Sequence, residues 1–193
     1  MKKLLILPLL AIMVMAAAVV DTYKVDTATS NIVWQAYKVT GQHTGNVKLK
    51  SGSLVMTDGK LTGGSFEVEM STITCTDMQG EYGDKLIGHI KSEDFFGVAK
   101  YPTAKYVITK AIPTDTKGNY KIVGNMTIKS TTKEVKFNAN VAESNGVTTA
   151  TGKMTIDRSE FDVKYGSGSF FDGLGDKTIY DDFDLQIALS AKK

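Results

Sequence analysis

The chain is short of the residues that staple, stiffen or strongly charge a protein. It has one cysteine, Cys75, three prolines, one tryptophan, two histidines and a single arginine, Arg158, among 193 residues. One cysteine closes no internal disulfide and builds no thiolate metal site, so the core alone must hold the fold. An excess of positive charge is lacking too. Lys+Arg number 23 and Asp+Glu 21, but Lys2 and Lys3 lie in what reads as a leader, and the remainder balances at 21 against 21. Nucleic-acid binding and polybasic membrane attachment both need concentrated positive charge, and neither is expected here.

Long apolar runs are absent with one exception. Leu4 to Val20 is almost wholly apolar, follows Lys2-Lys3, and contains Ala16-Ala17-Ala18, small residues suited to cleavage. That is the pattern of a secretory signal peptide, placed at residues 1–20. A transmembrane anchor needs roughly 20 apolar residues. This run is borderline in length, alanine-rich at its end, and followed at once by strand-like sequence. No cysteine follows it for lipid attachment. The reading is an exported protein, periplasmic or secreted, with no integral membrane span after cleavage. Residues 21–193 then form one domain, long enough to bury roughly 70% of its unfolded surface, and no linker, repeat or change of composition divides it.

What the chain has in abundance is alternation. Ile32, Trp34 and Ala36 fall on one face of a strand, and Val47, Leu49, Leu54 and Met56 fit a hairpin. Phe66, Val68 and Met70 alternate with Ser65, Glu67 and Glu69, a clean period of two. Tyr106, Ile108 and Ile112 resume the pattern, then Tyr120 to Ile128, Val135 to Val141, Thr148 to Ile156, Phe161-Val163-Tyr165, and Phe183 to Leu189. Asp58-Gly59 and Asn145-Gly146 are hairpin signals. Asp77 to Lys91 breaks the alternation. Leu86, Ile87 and Ile90 fit a short helix face, with Asp77 as its N-cap, and Tyr101-Pro102 ends the irregular stretch. About eight one-sided strands and one helical insert point to an all-β fold, an eight-stranded antiparallel barrel that leaves no open sheet edges. A barrel of that size is just wide enough to hold a slim ligand or to fill itself with side chains.

A set of short segments then becomes specific by its order. Gly41-Gln-His43-Thr44-Gly45 comes first, then Gly88-His89-Ile-Lys91-Ser92-Glu-Asp94-Phe95-Phe96 and Tyr101-Pro102-Thr-Ala104. Gly124 to Lys129, Ile156-Asp157-Arg158, Tyr165 to Phe171, Gly175-Asp176-Lys177 and Asp181-Asp182-Phe183 complete the series. In this order and spacing the chain resembles the YceI-like family over essentially all of residues 21–193. The resemblance implies an extended, lipocalin-like barrel with an insert helix near one end. It also implies an exported protein that holds a polyisoprenoid, an isoprenoid quinone or a fatty-acyl lipid in its lumen. Ser130 departs from the family's pattern, standing where a glycine is expected in a Thr-Ile-Lys-Gly turn. A serine is costly there only if that residue must take positive φ.

The expected lumen wall is Trp34, Phe66, Phe95, Phe96, Tyr106, Phe137, Phe161 and Phe183. Each buried CH₂ of a long apolar guest contributes ~0.8 kcal/mol, so such a wall needs few polar contacts. The bland alternative is that these rings simply fill the barrel. His43, His89 and Arg158 are head-group candidates. Histidine offers donor and acceptor alike, and arginine pairs bidentately with phosphate or carboxylate. Structural hydrogen bonding competes for the histidines, and for Arg158 a structural partner among Asp157, Asp162, Asp181 and Asp182 is favoured. Two histidines without further ligands at metal spacing define no metal site. Asp176, Asp181, Asp182 and Asp184 do not match a calcium loop, and Asp182 and Asp184 are expected on the solvent face. Ser92, His89 and Asp94 lack a nucleophile-elbow pattern, and Glu67 with Glu69 gives no further support to catalysis. No cofactor is expected beyond a bound lipid. The competing function is a non-catalytic stress-response or interaction protein with a filled barrel, docking a protein partner around Phe170-Phe171. Whether two barrels pair as a homodimer is left open.

Overall fold

The computed structural model describes residues 17–193, so most of the expected signal peptide, placed at residues 1–20, lies outside the described residues. The elements in chain order are β1 (Val20–Val25), β2 (Asn31–Lys38), β3 (Gly41–Thr57), β4 (Lys60–Cys75), α1 (Gly80–Lys91), β5 (Thr103–Pro113), β6 (Asn119–Ile128), β7 (Thr131–Ser144), β8 (Val147–Asp157) and β9 (Ile179–Lys192). All strand pairs are antiparallel. Strands β2 to β9 close on themselves through the β3–β4 and β2–β9 pairings, which makes the eight-stranded barrel. The extra strand, β1, lies between β3 and β9 as β2 does, but further along them. Two short strands therefore share one slot. The turn between them is stitched to β9, where the Asp26 N–H donates to the Ser190 carbonyl at 2.8 Å and the Ser190 N–H to Ser30 Oγ at 3.0 Å.

The strands are long. At a rise of about 3.4 Å per residue, the 17 residues of β3 reach on the order of 55 Å along their path. With the usual tilt the barrel stands on the order of 40 Å tall. One end is closed by tight hairpins. Asp58-Gly59 and Asn145-Gly146 each place both turn residues at positive φ (50° and 73°, 52° and 74°), the arrangement that matches strand twist. At the other end β4 leads to α1, and residues 158–178 form a long connection from β8 to β9.

Four local expectations need correction. Val47 to Met56 is not a hairpin but the body of β3. A register shift between Leu49 and Ser51 moves the inward phase from Val47 and Leu49 to Leu54 and Met56, so a bulge makes the change of parity that looks like a turn. Phe161-Val163-Tyr165 is not a strand. Arg158–Phe161 is a 3-10 helix, and Asp162 at φ 60° turns the chain out of line. The helix starts at Gly80 after Gln79, not at Asp77, because the Asp77 carboxylate is engaged by strand β3. Asp184 is not solvated, although it points away from the lumen. It is buried, accepting from Tyr37 Oη and Thr155 Oγ1 at 2.6 Å and from Lys153 at 3.0 Å. Burial pushes its carboxyl pKa up, but these three donors outweigh it and hold it below the ordinary value. The Ser130 question resolves simply: the left-handed residue of that turn is Lys129, at φ 55°.

Candidate ligand-binding lumen

Period-two alternation sends one face of every barrel strand inward. The inward side chains leave an apolar cavity of about 360 Å³, which falls in the usual range for small-molecule sites. It extends from Leu54, Leu61 and Leu189 near the hairpin end to α1 at the other. Trp34, Phe66, Phe95, Phe96, Tyr106, Phe137 and Phe183 all stand on its wall. Phe161 does not. It is fully buried in the 3-10 helix, where strand parity no longer decides the direction of a side chain. A filled barrel is not what the structure has, since the cavity passes both Trp34 and Phe137. Phe170 and Phe171 do stand exposed, at 47% and 50%.

Most of the polar lining gathers at the α1 end: Lys38, His43, His89, Arg158, Lys177 and Tyr180. Its members differ in how far their bonding is already satisfied. His43 Nδ1 lies 2.9 Å from Asp77 Oδ2, while Asp77 Oδ1 accepts from the Thr44 N–H at 2.9 Å and from Cys75 Sγ at 3.1 Å. Burial alone would raise the Asp77 pKa, but the bonds from Thr44, His43 and Cys75 hold it down at about 2. A carboxylate only accepts, so His43 Nδ1 carries the proton and Nε2 is the ring's free nitrogen.

Arg158 is 2% exposed and almost fully committed. Its guanidinium donates to the carbonyls of Val163 at 2.8 Å, Ile179 at 3.0 Å and Tyr180 at 3.2 Å. Asp181 Oδ1 lies 3.2 Å from Nη2, a charge contact without hydrogen-bond alignment. The carboxylate's other oxygen accepts from Ser167 and Ser169. Burial pushes the Arg158 pKa down, with Asp181 and Asp157 opposing. Its partner Asp181 was among those expected, but three backbone carbonyls take most of the guanidinium. They tie the 3-10 helix to the start of β9, and Phe95 packs against its face at 5.3 Å.

His89 is the opposite case. Its ring sits edge-on to Tyr165 at 4.4 Å and to Phe95 at 5.5 Å. Its Nε2 is buried with no hydrogen-bond partner, a rare and costly condition for a buried polar atom. The alternation read Tyr165 as a strand residue, whereas it comes back onto His89 from the β8–β9 connection. The alternation also missed Lys177, in the 3-10 turn Gly175–Lys177, and Tyr180, at the start of β9 before the Phe183 to Leu189 alternation begins. Of the weak catalytic candidates, Ser92 Oγ donates to the His89 carbonyl at 2.8 Å and not to its ring. Glu67 pairs with Lys50 at 2.8 Å, and Glu69 accepts from Ser71. Among the described residues no helix is long and apolar enough to cross a membrane, and no three His, Cys, Asp or Glu side chains group as metal ligands would.

No curated protein sequence matches the chain. Among solved structures it is similar to BcnA of Burkholderia cenocepacia, with TM-score 0.71 at 23% identity over 87% of this chain and 99% of that one. It is also similar to a polyisoprenoid binding domain from Saccharophagus degradans implicated in plant cell wall breakdown, with TM-score 0.66 at 13% identity over 88% and 97%. The YCEI protein of Campylobacter jejuni matches at TM-score 0.53 and 18% identity over 69% and 74%. At these identities the likeness shows a shared barrel. The sequence itself carries the stronger statement, because the family model for the YceI-like domain matches residues 23–191, and the chain belongs to the YceI-like family.

Proposed function

We propose that this protein binds a long-chain amphiphile in its lumen and carries or sequesters it without chemical change. The ligand class is a polyisoprenoid, an isoprenoid quinone or a fatty-acyl lipid. One observation carries the reading: a tall closed barrel encloses an apolar cavity whose polar groups collect at one end. Such a site suits a molecule with a long greasy tail and a small polar head. The likeness to a polyisoprenoid binding domain supports it.

Trp34, Phe66, Phe95, Phe96, Tyr106, Phe137 and Phe183 form the tail site in this proposal. His89 is the first head-group contact, because it lines the cavity and its Nε2 has no partner among the protein's own groups. His43 is the second, through Nε2. Arg158 organises the mouth and has little left for a ligand. The protein is exported to the periplasm or beyond, and the proposed cut falls on the N-terminal side of Val19. Val19 exchanges hydrogen bonds with Asp58, and Val20 pairs with Thr57. Organic extraction and mass spectrometry of the full chain expressed in its exporting host tests the proposal. A prenyl or acyl species recovered in near-equimolar amount is expected. Protein that yields none, and takes up neither quinone nor prenyl alcohol nor fatty acid, overturns it.

A further inference from the structure

Four of the seven lumen aromatics, Trp34, Phe66, Tyr106 and Phe137, share a placement that alternation does not require. Each of these four lies over an inward glycine of the neighbouring strand. A Cβ built on Gly45 would stand 2.7 Å from the Trp34 ring, and one on Gly124 2.5 Å from the Tyr106 ring. On Gly52 it would stand 3.0 Å from Phe66, and on Gly152 3.0 Å from Phe137. The pairs cross β2–β3, β5–β6, β3–β4 and β7–β8, so they recur around the wall. Glycine in a strand interior weakens it and marks a place where something approaches closely. At Gly45 the Thr74 carbonyl comes closer still, and at Gly124 the Val107 carbonyl is as near as the ring, but at all four seats a ring lies against the glycine and folds onto the wall in place of projecting across the lumen.

Two of the four rings are also pinned by their polar tips. Trp34 Nε1 donates to the Thr74 carbonyl at 3.0 Å, and Tyr106 Oη to the Val135 carbonyl at 2.9 Å. Phe66 and Phe137 have no such tip. Their glycine seats are what lets them lie down, and the space they vacate belongs to the cavity.

We propose that these ring-on-glycine seats set the calibre of the lumen, and that Gly52 under Phe66 and Gly152 under Phe137 decide how thick a chain it admits. The proposal rests on the lumen being the lipid site. It goes further by naming residues that touch no head group and discriminate by tail cross-section alone. Gly52 is the cleaner handle, because an added methyl there meets only side-chain atoms of Phe66 and Val25. At Gly152 it also meets the Asn138 carbonyl at 2.9 Å, so the strand itself must adjust.

The test uses the full exported chain, stripped of lipid, with two probes: palmitate, whose tail is linear, and geranylgeraniol, whose tail carries methyl branches. Tightly packed apolar pockets discriminate by about tenfold or more per methylene. Gly52→Ala is expected to weaken geranylgeraniol binding about tenfold and palmitate binding much less. Adding Phe66→Leu to it restores the thicker probe. Gly63→Ala is the control, since a methyl there meets Val55 only at an ordinary 3.6 Å. Should Gly52→Ala fold poorly, Phe137→Leu alone is the second route, expected to favour the branched probe over the linear one. Gly52→Ala and Phe137→Leu variants that bind both probes as the parent does would overturn the calibre proposal alone. Equal loss of both probes without rescue would do the same. A parent that binds neither probe overturns the lipid-lumen reading beneath it.

Discussion

The two ends of the barrel are built by different rules. The hairpin end is closed by adjacent residues: Asp58-Gly59 and Asn145-Gly146 turn the chain in two steps, and the cavity lining near them, Leu54, Leu61 and Leu189, is apolar. The α1 end has two-residue turns of its own, Val39-Thr40 and Lys129-Ser130, but is completed by residues far apart in sequence. Trp34 donates to Thr74, His89 packs on Tyr165, and Arg158 reaches the carbonyls of β9. Nearly all the polar lining of the cavity sits there. Local turns serve both ends, and long-range contacts are added where the polar lining gathers. A barrel can therefore alter what it admits at one end without disturbing how it is shut at the other.

Substitutions at the two ends sharpen that contrast. The largest effect is expected from Arg158→Ala. It removes donors from one buried carbonyl and two half-buried ones and leaves Asp181 without its cation, which costs about 3–5 kcal/mol for a pair of this kind. Urea unfolding should show it as a lower midpoint, and a change under ~1 kcal/mol would mean water replaces the guanidinium freely. Next is His89→Phe, which keeps an aromatic ring and deletes an unpartnered nitrogen. Thermal stability should hold or rise, while affinity for a prenyl alcohol or quinone falls by about two- to tenfold, the worth of one hydrogen bond. Unchanged affinity would remove His89 from the head-group site.

At the hairpin end, Gly146→Ala puts a side chain at φ 74° and should cost about 1 kcal/mol with lipid binding untouched. A binding defect in that variant would break the division between the two ends. The smallest effect is one of pH. Asp77 has its pKa lowered from 3.8 to about 2, so its contribution is full above the unfolded value and is lost as pH falls through that interval. Allowing for solvent screening, acid should remove on the order of 1 kcal/mol between pH ~4 and ~2, and Asp77→Asn should flatten that part of the stability curve.

The same division explains what could be read from the chain in advance. Alternation located most strands, the Asp-Gly and Asn-Gly pairs located two turns, and the inward phase identified Trp34, Phe66, Tyr106, Phe137 and Phe183 as wall residues. Reading failed where the period was interrupted. A bulge in β3 looked like a turn, and a 3-10 helix carried Phe161 off the wall. The Asp77 carboxylate looked like a helix cap until β3 was seen to claim it. Asp184 looked solvated because parity reports which face a side chain takes and not whether that face is covered. The Val163 carbonyl is a local partner of Arg158, five residues on, but its commitment to the carbonyls of Ile179 and Tyr180 lies beyond any local pattern, since these are brought near only when β8 and β9 pair.

The shared slot of β1 and β2 has a practical corollary. Because β1 continues the slot away from α1, residue 20 pairs beside Thr57, next to the Asp58-Gly59 hairpin. Lys192, at the end of β9, pairs with Val147 beside the Asn145-Gly146 hairpin. Both described chain ends thus leave from the side opposite the mouth. A molecule immobilised or fused through either of them would hold its opening towards the solution, like a cup fastened by its base.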